Sequence, residues 1–157
     1  GETSLGVIAD GFEGLRRRSE AFAQRTGARP KAFLANMGPI PQHKARADFS
    51  RGFLEVGAFD VLGNNGFESI DQAVKAAVDS GAPVVVICST DATYPELVPP
   101  LTQGIKAAKP DAMVLLAGYP ADQVETLKAA GVDDFIHVRA NCFELLDNLQ
   151  NRIGVAQ

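Results

Sequence analysis

Histidine and cysteine are scarce in this chain, two of each among 157 residues. His43 and His137 alone cannot build a multi-histidine metal site. Cys88 and Cys142 make no disulfide framework and lack the paired C-x-x-C spacing of structural zinc, so a reducing, cytoplasmic setting is expected. No apolar run approaches the roughly 20 residues of a membrane helix, and no signal-peptide pattern opens the chain, so a membrane partner is not expected. With a net charge of −4, the basic face of a nucleic-acid binder is not expected either. Neither G-x-G-x-x-G nor a Walker motif occurs, which removes dinucleotide and P-loop chemistry.

What is present reads as globular. Hydrophobic residues make up 46% and charged residues 22%, mean hydropathy is near zero, and the length suits one domain with a sizeable core. The chain starts at Gly1 instead of methionine, so a fragment of a longer protein is expected. Residues 1–29 read as a linker and amphipathic helix, whose "RRR" (16–18) is expected to be a solvated face in preference to a docking surface. Residues 30–157 read as the domain proper.

Within it, strand and helix signals alternate. "KAFLANM" (31–37), "FDVLG" (59–63), "PVVVIC" (83–88), "AMVLLAG" (112–118) and "DFIHV" (134–138) are the strands. Their continuous, β-branched character fits a sheet covered on both faces. Helices are predicted over 43–57, with Phe49, Phe53, Leu54 and Val56 inward, and over 70–80 between an N-cap Ser69 and Gly81. Others cover 95–108, with Pro99 and Pro100 in the first turn or distorting it, 121–130, and a last amphipathic stretch along Cys142, Leu146, Leu149 and Ile153. Alternating βαβα predicts a five-stranded, flavodoxin-like parallel sheet in the order 2-1-3-4-5, with helices on both faces and one N-terminal helix.

Ligands of such sheets sit beyond the carboxyl ends of the strands. The loops there offer His43, Asn64, Asn65, Ser89, Thr90, Asp91, Thr93 and Tyr94. No nucleophile–base pairing of Cys88 or Ser89 with a histidine is supported, and Cys88 reads as a buried strand residue. Response-regulator chemistry lacks its acidic residues: the first strand ends in Asn36 and Met37, the third in Cys88. Catalytic residues are therefore not expected.

The strings "FLANMGPIPQHKARADFSRGFLEVGAFDVL", "VVVICSTDATYPELVPPL" and "LLAGYP" carry a resemblance over roughly residues 30–153. They resemble the C-terminal, cobalamin-binding-type domain of methylmalonyl-CoA mutase and related acyl-CoA mutases, most of all that of the small, non-catalytic subunit. The resemblance implies a heterodimer with a catalytic large subunit, in a holoenzyme that isomerises methylmalonyl-CoA and succinyl-CoA with adenosylcobalamin. Its cobalamin signatures are Asp-x-His-x-x-Gly in the first loop, Ser-x-Leu after the third strand and Gly-Gly after the fourth. Set on His43, the first signature meets Pro41 and Arg46 in place of its aspartate and glycine. The second falls on Cys88-Ser89-Thr90 or Ser89-Thr90-Asp91, and the third half matches at Ala117-Gly118. This leaves His43, Ser89 and Gly118 as cofactor-binding candidates. In one reading the domain is degenerate, binds no cofactor, and His43 begins a helix, partly solvated, with Gln42 or the loop satisfying the helix N-terminus. In the alternative, cobalamin is kept, with His43 as the lower cobalt ligand.

Overall fold

In the computed structural model, the backbone is described for residues 4–155 and the side chains for residues 11–155. Five parallel strands, β1 (Lys31–Asn36), β2 (Asp60–Leu62), β3 (Val84–Cys88), β4 (Met113–Ala117) and β5 (Asp134–Ile136), lie in the order β2-β1-β3-β4-β5. β3 and β4 are buried along their whole length, and each divides its side chains between two cores. Val85, Ile87, Val114 and Leu116 face one layer, formed by helices α3 (Ile70–Ser80), α4 (Tyr94–Ala108) and α5 (Val124–Ala129). Val84, Val86, Met113 and Leu115 face the other, formed by α2 (Ile40–Glu55) and α6 (Cys142–Arg152). An apolar run without visible alternation is what a sheet coated on both sides requires.

Local sequence explains several helix ends. Ser69 Oγ accepts from the Gln72 amide at 3.2 Å, and Gly81 closes α3 in the left-handed region at φ 72°. Asn141 Oδ1 caps α6 by accepting from Glu144 N at 3.0 Å.

Other expectations need correction. α2 begins three residues before the predicted start, on Pro39 as N-cap, because Pro41 in its first turn has no N–H to lose. Its inward face is His43, Ala47, Ser50, Phe53 and Leu54, whereas Phe49 and Val56 are 40% and 37% exposed. α4 also starts earlier, at Tyr94 after a 3₁₀ turn (Asp91–Thr93), which leaves Pro99 and Pro100 inside the helix instead of its first turn. β5 stops at Ile136, so His137 and Val138 lie in a surface turn, with Val138 82% exposed.

The N-terminal helix α1 (Ser4–Thr26) lies against α6 and the end of α2. Leu15 and Ser19 are fully buried, and Ser19 Oγ donates to Gly57 O at 2.6 Å. Gln150 Nε2 donates to Leu15 O and Ser19 Oγ at 2.7 and 3.0 Å. The arginine run is not a uniformly solvated face. Arg16 Nη1 donates to Glu55 O at 2.9 Å, at the C-terminus of α2, where carbonyls lack helical partners. Arg18 bonds Gln150 and Asp147 on α6, and Arg17 pairs along the surface with Glu13.

Candidate functional site

Between β1 and β3 the chain connections depart in opposite directions, which opens a crevice at the carboxyl ends of these strands. Here the crevice is bridged by Gln42, in the first turn of α2. Its Nε2 donates to Met37 O at 3.1 Å, just past β1, and to Ser89 Oγ at 2.8 Å, just past β3. Ser89 Oγ lies 2.7 Å from Thr93 Oγ1, and Thr93 donates to Thr90 O at 2.8 Å, so the hydrogens run in one direction from Gln42 to Thr90. Gln42 is therefore not the helix cap that the sequence suggested; no side chain caps α2.

One turn along α2, Arg46 lies across the ends of β3 and β4. Its Nη1 donates to Ser89 O at 3.0 Å and pairs with Asp91 Oδ1 at 2.7 Å, while its guanidinium sits 5.6 Å from the Tyr94 ring centroid. Burial pulls the Arg46 pKa down, but hydrogen bonds to Asp91 and Tyr94 outweigh it, leaving it above the ordinary value. The guanidinium also covers Gly118, whose φ is +119°; a Cβ there would stand 2.9 Å from Arg46 Nη1. Beneath Arg46, the buried Tyr94 hydroxyl accepts from Ser89 N at 3.0 Å and approaches Ala117 O at 2.5 Å. Desolvation pushes the Tyr94 pKa up to about 12, and likewise that of the neighbouring Cys88 thiol, so both are neutral and unreactive at neutral pH.

His43 faces the other way. Its imidazole is 3% exposed, not partly solvated as expected, because Gly66 of the β2–α3 loop lies against it. A Cβ on Gly66 would stand 2.7 Å from His43 Cε1 and would also collide with the Gly38 carbonyl. His43 Nδ1 has no hydrogen-bond partner, and neither has Asn36 Oδ1 at the buried end of β1.

The eight loop residues singled out in the sequence do not form one pocket. His43, Asn64 and Asn65 line a groove of about 440 Å³ beside β1 and β2. Ser89, Thr93 and Tyr94 hold each other and the strand ends. Gly118, Tyr119, His137, Val138 and Phe49 line a second cleft of about 900 Å³, with Arg46 as one wall. Gln42 and Asn36 were not singled out as site residues. Their partners, Ser89 and Asn64, are 47 and 28 residues away in sequence, and no local pattern announces such pairs. Among the described residues, no group of three or more His, Cys, Asp or Glu side chains could hold a metal ion, and no helix is long and apolar enough to cross a membrane.

No family model matches the chain. The methylmalonyl-CoA mutase small subunit of Porphyromonas gingivalis is 31% identical over 147 residues, 94% of this chain. The probable small subunit of Mycobacterium bovis is 35% identical over 93% of it. The chain resembles the C-terminal part of methylmalonyl-CoA mutase small subunits. The chain spans only 22% and 23% of the length of those two relatives. The probable large subunit of Mycobacterium bovis is also similar, at 27% identity over 86% of the chain. Among solved structures, a cobalamin-binding protein from Desulfitobacterium hafniense superposes with a TM-score of 0.61 at 19% identity, covering 92% of this chain and 70% of its own. A CheY-like protein from Pseudomonas aeruginosa does so at 0.58 and 23%, covering 79% and 94%. At these identities the two structures attest the flavodoxin-like fold alone.

Proposed function

We propose that residues 30–157 form a degenerate cobalamin-type domain of a methylmalonyl-CoA mutase small subunit, joined by residues 1–29 to the rest of that subunit. In this reading the domain binds no cofactor and has no catalytic residues. It works in the cytoplasm by assembling with a catalytic large subunit, which carries the adenosylcobalamin-dependent isomerisation of methylmalonyl-CoA and succinyl-CoA. The observation that carries the reading is the filled crevice. Gln42 joins the ends of β1 and β3, and Arg46 lies over Gly118, where the resemblance would lead the nucleotide tail of cobalamin.

His43 supports the same reading. A lower cobalt ligand needs a ring nitrogen free to reach the metal and a partner on the other nitrogen to orient it. The His43 ring is buried beneath Gly66, and Pro41 stands where the signature has its carboxylate. The similarity to both small and large subunits supports the partner assignment.

Hydroxocobalamin mixed with the purified chain and passed through gel filtration is expected to separate completely, leaving no corrin absorbance with the protein. A retained chromophore that is lost in His43→Ala would replace this reading by the cobalamin-binding one. Co-expression with a tagged large subunit is expected to retain the small subunit; its absence from the complex would refute the assembly role.

A further inference from the structure

Five large apolar side chains are exposed among the described residues, and three of them, Phe49, Tyr119 and Val138, line the cleft walled by Arg46. Single exposed apolar groups are ordinary, but a cluster with a polar rim marks a contact surface. Part of this cluster is held in place. The Tyr119 ring, 50% exposed, stacks on His137 with centroids 4.7 Å apart and meets Phe135 edge-on at 5.4 Å. Val138 lies in the turn after β5, and Phe49 comes from the middle of α2.

The rim is cationic. Arg46 and Arg139 line the cleft and no Asp or Glu does, in a chain whose net charge is −4. Arg46 is countered by Asp91 outside the lining, whereas Arg139 makes no ion pair among the described residues. His137 Nδ1 accepts from Arg139 N at 3.3 Å, which leaves Nε2 as the donor of that ring. A complementary surface therefore has an apolar centre and carboxylates at its edge. Two copies joined face to face through the cleft would set arginine against arginine, which disfavours a homodimer here.

The course of α1 says where further chain lies. A Cβ on Gly11 would stand 2.7 Å from the Phe143 ring, in the first turn of α6, and Phe12 meets that ring edge-on at 5.9 Å. Seven residues on, Arg18 bonds Asp147 and Gln150. The two helices thus run side by side in the same direction, away from the carboxyl edge of the sheet. Backwards from Gly11 the helix continues to Ser4, which carries the backbone about 10 Å past that edge at 1.5 Å per residue. The cleft opens at the same edge, between the ends of β4 and β5 and α2.

We infer that the Phe49–Tyr119–Val138 cleft is the docking surface for the part of the same subunit that precedes this chain, through an apolar contact ringed by carboxylates that answer Arg139. The inference rests on the small-subunit reading, in which this chain, spanning 22% and 23% of two relatives, is the C-terminal part. It adds which face the preceding part covers.

The test is hydroxyl-radical footprinting of the intact small subunit, with and without the large subunit, each residue referenced to the urea-unfolded protein. In the small subunit alone, Phe49 and Tyr119 are expected to be shielded at least about tenfold beyond the level they show in Val138→Asp, a docking preference of roughly 1.4 kcal/mol. Val138 is 82% exposed, so this substitution leaves the fold of the domain itself intact. Arg139→Glu is expected to lower the shielding in the same way. Shielding equal in Val138→Asp and wild type, or none at all, would overturn the inference. Shielding that appears only with the large subunit would make that chain the occupant, and shielding that grows with protein concentration would make it a second copy; either result overturns the assignment. The small-subunit reading fails separately, by loss of co-purification with the large subunit while the cleft stays shielded.

Discussion

Tyr94→Phe removes one oxygen from the centre of the sheet's carboxyl edge and leaves the ring in place, so it opens no cavity of consequence. The lost hydroxyl accepts from Ser89 N and reaches Ala117 O, on residues that are 0% and 2% exposed. Leaving a buried donor or acceptor unsatisfied costs about 1–3 kcal/mol, so two such groups predict a loss of about 3 kcal/mol at pH 7. Urea unfolding followed by circular dichroism measures this as a lower midpoint at constant m-value. The loss should also depend on pH. Unfolded Tyr94 ionises near its ordinary value of 10.0, while burial holds the folded phenol neutral up to about 12. The wild-type advantage is therefore complete below pH 10 and is lost as pH rises toward 12, at about 1.4 kcal/mol per pH unit. The buried Cys88 thiol weakens the fold in the same direction above pH 9, but it is present in both proteins and cancels in the difference. A loss below about 0.5 kcal/mol at pH 7, within the range of ordinary surface substitutions, would refute the bridging role. So would a difference between the two proteins that is as large at pH 11 as at pH 9.

Leu15→Ala should cost about 2–5 kcal/mol in the same assay, since Leu15 is wholly buried in the core on the α6 side. An unchanged midpoint would mean that α1 unfolds independently of the sheet. Gly66→Ala should destabilise by about 1–3 kcal/mol, because φ is +111° and the new methyl would strike both His43 and the Gly38 carbonyl. A variant as stable as the parent would show that the β2–α3 loop can lift away from His43. Arg46→Met keeps much of the stem that covers Gly118 but loses the half-exposed pair with Asp91. It should cost only about 1 kcal/mol, and a much larger loss in urea unfolding would contradict that weighting.

Much of this architecture is legible in the sequence because it rests on short-range regularities. The β-branched run of β3, the Ser69 and Gly81 ends of α3 and the alternation of strand and helix imply a doubly wound sheet, and right-handed crossovers restrict its order. The resemblance to the mutase small subunits is equally a property of the string, since it follows from loop motifs around Gly38, Ser89 and Gly118. What the string leaves open is where a side chain goes once α2 is laid across the sheet. Phe49 and Val56 look like core residues by type, yet the face of α2 that meets the sheet carries His43, Ala47 and Ser50. Helix starts moved for a local reason: α2 and α4 begin at Ile40 and Tyr94, ahead of the predicted 43 and 95, because Pro41 and Pro95 in a first turn remove no helical hydrogen bond.

The sequence alone determined the five strands and their order, because hydrophobic period and turn chemistry are local and right-handed crossovers leave few topologies. Only the tertiary structure decided that Gln42 joins the ends of β1 and β3, that Arg46 covers Gly118 and that Gly66 covers His43. Apart from the bond of Gln42 to Met37, five residues away, those contacts join residues 23 to 72 positions apart, and their geometry exists only once the strands are in register.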